Sequence, residues 1–192
     1  MKSKISSKTK KLTLGAILSA MGVSLLLIGS LFEVLDLSMA ALASIFCIFA
    51  VIEIGGIYPY LIYVTTGILA IIFMPMSLAP WFYMLFFGFY PIIKEKLEKL
   101  NKTIAWAIKM LVLNLSVVLC VFLSYFVFFG NSDGKTLLEA FFFVFGNGET
   151  GSTLAIITYI LLNITFIIYD IALTRIITVY LVKLRHRFKF LK

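Results

Sequence analysis

Four ionisable side chains interrupt otherwise apolar stretches: Glu53, Lys109, Asp170 and Arg175. A charge at mid-bilayer costs roughly 2.5–3.5 kcal/mol on insertion scales, so such groups neutralise one another or carry an ion. Two anions and two cations at one depth are read as a structural ion-pair cluster. The competing reading is a proton or ion pathway, with Asp170 its deepest member. A second set is aromatic and amide-bearing: Trp81, Tyr83, Tyr125, Asn147, Glu149, Tyr159 and Asn163. Tyr159 and Asn163 are four apart and share a helix face. Rings with a few amides and a carboxylate suit a pocket for a small planar, polar molecule. Trp and Tyr also gather at membrane interfaces without any ligand.

A third set is small. Gly15, Ala16, Ser19 and Ala20 recur at three- and four-residue spacing in the first apolar stretch. Small side chains let helices approach closely, and close approach drives association in lipid. Spacing alone fits internal packing or a surface for a partner. Asn114, polar at mid-membrane, is expected to hydrogen-bond a neighbouring helix. No HExxH, GxSxG or P-loop pattern occurs, and Cys47 and Cys120 lack metal-ligand spacing. The single histidine, His186, sits in a basic tail. No catalytic residue, cofactor or metal is therefore expected, and the chain does not read as an enzyme.

These residues must be held by a fold, and composition decides which. The 192-residue chain is 62% hydrophobic and 14% charged. Soluble domains are about 45–50% apolar and about 25% charged. The chain therefore reads as an all-α integral membrane protein. A net charge of +8 is not read as nucleic-acid binding, because the cations cluster beside apolar runs.

Crossing a bilayer takes about 20 apolar residues. Six spans are expected, at about 12–32, 37–54, 57–74, 80–93, 104–130 and 153–182. Pro75 and Pro80 bracket a turn between spans three and four, and Gly55-Gly56 marks the turn before span three. Three basic clusters lie at 1–11, in a linker over 94–103, and in a tail over 183–192. Six crossings put all three on one side, so both termini are expected in the cytoplasm. The first span is longer than the 7–15-residue apolar core of a signal peptide and is read as uncleaved. The KEKLEKL segment beginning at Lys94 is read as a solvated linker or a surface helix. The loop over 131–152 is expected outside.

With six spans, both termini inside, a basic start and an AxxxA pair (Ala16, Ala20), the chain resembles the substrate-binding S component of an energy-coupling factor (ECF) transporter. The resemblance implies a subunit in the bacterial plasma membrane that captures a vitamin-like molecule at its outer face. It implies partners too: a transmembrane coupling subunit, docked through the small-residue face of span one, and two ATPase subunits. The ligand site would then involve Trp81, Tyr83, Tyr125, Asn147, Glu149, Tyr159 and Asn163. The alternative is a membrane scaffold or assembly protein, like the rod-shape-determining membrane protein D family, with no small ligand. A third reading is an ion-coupled carrier using Asp170 and Glu53.

Overall fold

The computed structural model describes residues 2–32, 35–124 and 151–184, with side chains over 8–32, 35–123 and 156–182. Tyr125, Asn147, Glu149, the loop up to residue 150 and the tail beyond residue 184 lie outside the described residues. The described chain is helical, with no strand. It runs through α1 (Lys2–Leu31), α2 (Asp36–Glu53), α3 (Tyr58–Phe73), α4 (Leu78–Phe82), a π-helical turn (Tyr83–Phe87), α5 (Tyr90–Leu97), α6 (Lys102–Ser124) and α7 (Gly151–Val179), which ends in a second π-helical turn (Tyr180–Leu184).

Four of these helices (α1, α2, α6 and α7) are long and apolar enough to cross a membrane. Large apolar side chains such as Leu12, Ile17, Leu111, Leu115, Ile160 and Ile168 stand exposed along them. Water would penalise that surface heavily; lipid does not. The sixteen residues of α3 span only about 24 Å at the helical rise. The expected fourth span is composite, with α4, the π turn and α5 replacing one uninterrupted helix. α1 extends back to Lys2, so the basic start is helical. α5 likewise runs to Leu97, into the stretch expected as linker.

The chain packs as two units, divided within α6 at Val112 and Leu113. In the first, Leu18, Ala50, Ile54 and Ile62 form a core cluster from α1, α2 and α3, with Phe46, Phe49 and Tyr58 against it. α2 buries a stripe of small residues, Ala40, Ala43, Ser44, Cys47 and Ala50. The spacing is helical, and the small volumes let the neighbouring helices come close. α1 answers with glycine: a Cβ at Gly29 would stand 2.7 Å from Met39 Cβ, and one at Gly22 2.9 Å from Thr66 Cγ2. At Gly29 the facing Cβ moves only with its helix, so an added carbon would push α1 from α2; at Gly22 the Thr66 side chain would have to shift.

Turn chemistry sets the direction of each helix. Gly55 and Gly56, at φ +62° and +66°, reverse the chain between α2 and α3 in a conformation that side chains disfavour. Ser77 caps α4: its Oγ accepts from the Ala79 amide at 3.3 Å and donates to Asp36 Oδ2 at 3.5 Å. At the opposite end of this unit, Lys11 Nζ donates to the Ile54 carbonyl at 3.4 Å. The first unit thus has one end carrying Lys11 and the Gly55-Gly56 turn, and another carrying Gly29, Asp36 and Ser77.

Candidate functional site

α1 resolves its small residues into two adjoining lanes. Gly15 and Ser19 are buried; a Cβ at Gly15 would touch Ile62 of α3 at 3.4 Å. Ala16 and Ala20 are exposed. The lane they occupy continues through Thr13 and Ser24, also exposed. Both hydroxyls donate within the helix, Thr13 to the Thr9 carbonyl at 3.0 Å and Ser24 to the Ala20 carbonyl at 2.9 Å. The lane therefore combines small side chains with satisfied hydroxyls, a surface another helix can approach without leaving polar groups stranded.

Trp81 and Tyr83 belong to the first unit. The Trp81 Nε1–H donates to the Pro75 carbonyl at 3.3 Å, fixing the indole beside the α3–α4 turn. Tyr83 is 1% exposed, its ring 6.3 Å from that of Tyr63. It opens the π turn, in which the Gly88 amide donates to the Tyr83 carbonyl at 2.8 Å. The widened turn leaves the Met84 carbonyl to accept from the Tyr63 hydroxyl at 2.6 Å. The Gly88 carbonyl accepts from the Cys47 thiol at 3.2 Å. A Cβ at Gly88 would lie 2.7 Å from the Tyr63 ring and 2.8 Å from the Tyr83 ring, so only glycine fits. Sequence reading did not find this joint; π turns carry no residue signature, though they recur at functional sites.

Tyr159 and Asn163 belong to the second unit. The Tyr159 hydroxyl donates to Asn114 Oδ1, joining α7 to α6. This is the interhelical bond expected of Asn114. Asn163 Nδ2 donates to the Tyr159 carbonyl at 2.9 Å, within α7. Both residues are half-buried.

Glu53 and Lys109 lie in the first unit, Asp170 and Arg175 in the second. Lys109 is only 6% exposed, with its ammonium 5.3 Å from the Trp106 ring centroid. Asp170 is 3% exposed, Glu53 is half-buried and Arg175 is exposed. The KEKLEKL segment holds a buried charge that sequence reading placed in solvent: Lys94, 1% exposed, bridges Glu98 at 3.1 Å. Its signal was the spacing of Tyr90, Pro91, Lys94 and Leu97, one face of α5 and all buried.

Gly146, Gly148 and Gly151 match a G-x-G-x-x-G spacing. That pattern serves dinucleotides only behind a strand, and the stretch before Gly151, where such a strand would stand, lies outside the described residues. Nor do the described residues hold three histidine, cysteine, aspartate or glutamate side chains placed to share a metal.

These features define a class: the described residues are helical, with four helices among them long and apolar enough to cross a membrane, consistent with a multi-pass membrane protein. Comparison with protein-family models, curated proteins and solved structures gives no match.

Proposed function

We propose that the chain is the membrane-embedded binding subunit of an ECF-type micronutrient transporter, crossing the bilayer six times with both termini in the cytoplasm. In this reading a vitamin-like molecule is captured at the outer face, and α1 docks on a transmembrane coupling subunit that works with two ATPase subunits. The observation that carries it is the division of α1: Gly15 and Ser19 pack inward, while Ala16 and Ala20 remain on the surface. A small-residue lane left open by the packing of the first unit suits a docking helix. Large residues at Ala16 and Ala20 (Ala16→Trp with Ala20→Trp) are expected to abolish vitamin uptake in cells and co-purification of a coupling subunit, while leaving binding intact. Binding is read as thermal stabilisation of the purified protein across a panel of vitamins. No stabilisation by any vitamin, together with unchanged partner capture, overturns the transporter reading.

The alternative is a membrane scaffold without a small ligand. One observation favours it: two side chains expected to line a ligand site are engaged in packing, Tyr83 in the core and Tyr159 with Asn114. An empty vitamin screen combined with a stable protein complex retained on purification selects this reading.

A further inference from the structure

α7 is the least covered of the four long helices, and its two sides differ. One side packs: Phe166, Asp170 and Leu173 are buried, with Tyr159 and Asn163 half-buried in line with them. The opposite side is uncovered. Ile157, Leu161, Ile164, Ile168, Ile171 and Arg175 follow at alternating steps of four and three, and all are exposed. That spacing keeps the six in one seam along the helix. Five of them are branched aliphatics, at ease against lipid. Arg175 is not.

A guanidinium carries a permanent charge and five N–H donors, and hydrocarbon satisfies none of them. Charged groups within membrane helices almost always face protein or water. Arg175 has no hydrogen bond or ion pair with any described residue. Its polar neighbours are spent inside the helix: the Thr174 hydroxyl donates to the Asp170 carbonyl at 2.9 Å and the Thr178 hydroxyl to the Thr174 carbonyl at 2.7 Å. The apolar run of α7 covers Ile156–Val182, and Arg175 stands seven residues before its end, about 10 Å along the axis. Cα–Cβ bonds in a helix tilt toward its N-terminus. The side chain therefore sets out toward the bilayer centre, away from the nearer headgroups, whichever way the chain is threaded. A lipid phosphate is reached only by bending back against that tilt. A second copy does not supply the missing anion either. Pairing α7 with itself in parallel sets Arg175 against Arg175, and the intramembrane acids Glu53 and Asp170 are half-buried and buried.

We infer that the uncovered seam of α7 is a docking surface for a membrane-spanning helix of another protein, one that carries an aspartate or glutamate at the depth of Arg175. The carboxylate takes the guanidinium, and the aliphatic residues of the seam pack against the rest of that helix. The surface is on a different helix from the Ala16 and Ala20 lane. It rests on the membrane location of the chain and not on a role in transport, so it can fail while the binding-subunit reading stands.

The test places the full chain, with an acceptor dye at its amino terminus, in phosphatidylcholine vesicles with a dilute donor-labelled probe. The probe is a synthetic oligoleucine transmembrane helix with one glutamate at the matching depth, or glutamine in its place. Energy transfer is expected to show the glutamate helix binding about tenfold more tightly than the glutamine helix, the lower end of what a close charge pair contributes across an interface. Arg175→Gln is expected to bring the two probes within about twofold of each other. Arg175→Gln with Ile176→Arg keeps the charge and the depth but moves the cation about 100° round the helix, off the seam. Ile176 is 40% exposed and accepts the change, and the tenfold ratio is expected to stay lost. Equal binding of the two probes by the wild type overturns the proposal, as does a full ratio in the Ile176→Arg variant. Loss of the ratio when phosphatidylglycerol replaces about a tenth of the lipid makes lipid phosphate the occupant and overturns the helix assignment. Energy transfer between differently labelled copies of the chain without probe, lost on Arg175→Gln, makes a second copy the occupant and overturns it as well. The wild-type comparisons decide the matter even if a variant fails to fold.

Discussion

Tyr159 and Asn114 show how much one polar pair can settle inside a helical bundle. Each side chain alone in hydrocarbon would carry an unmet hydrogen bond; together they tie α7 to α6. Interhelical bonds of this kind contribute about 0.6–2 kcal/mol. Tyr159→Phe and Asn114→Ala are each expected to cost about that much, and the double variant no more than the larger single one, measured by unfolding in mixed micelles. Costs that add in full would show that the two groups do not act on each other. Tyr63 makes a comparable bond across elements, from its hydroxyl to the Met84 carbonyl. Tyr63→Phe should lower stability by about 1 kcal/mol and speed hydrogen exchange at the Gly88 amide, which closes the π turn. Unchanged exchange there would mean the turn holds without Tyr63.

At the scale of elements, the two lanes of α1 are predicted to respond in opposite ways. Gly29 and Gly22 meet Met39 and Thr66 at distances that no added carbon tolerates without a shift of the neighbour. Gly29→Leu should therefore push α1 from α2 and destabilise the first unit by about 1–3 kcal/mol, the usual cost of overpacking. Ala16→Leu, on the exposed lane, should change thermal stability in detergent by no more than about 0.5 kcal/mol. A large loss at Ala16 would place that lane in the protein's own core and remove the proposed docking surface. The small-residue pattern of α1 was legible in the sequence, but its division into a packed and an exposed lane was not. Residues 15 and 16 are adjacent and equally small; only the position of α3, with Ile62 against Gly15, separates them. The buried stripe of α2 was equally open to reading, since Ala40, Ala43, Cys47 and Ala50 keep the same spacing.

For the whole molecule, the first unit fixes a relation between its ends that labelling can test. Lys10 and Lys99 carry exposed side chains toward the end with Lys11 and the Gly55-Gly56 turn, and Met76, 73% exposed, sits in the turn at the other. Single cysteines at these positions, with Cys47 and Cys120 replaced by alanine, should label from opposite sides of an intact cell. Lys10→Cys and Lys99→Cys should share the cytoplasmic side, and Met76→Cys should react from outside. Reaction of all three from one side would dismiss α1 through α5 as a set of alternating crossings.

The sequence by itself determined the solvent and the class of secondary structure. A chain this apolar, with its charges confined to short clusters, must satisfy its backbone hydrogen bonds internally, and helices do so whatever their neighbours. It also placed the turn at Gly55-Gly56, because glycine acts locally, and the turn after Phe73, although that turn closes at Ser77 and Pro80, expected to bound it, lies within α4. Tertiary structure decided what depends on which helix lies next to which. It put Tyr83 into the core through a π turn, buried Lys94 beside Glu98, and left Ala16 and Ala20 uncovered while Gly15 met Ile62. Burial of one side chain is a property of the surfaces facing it, and those surfaces come from residues tens of positions away in the chain.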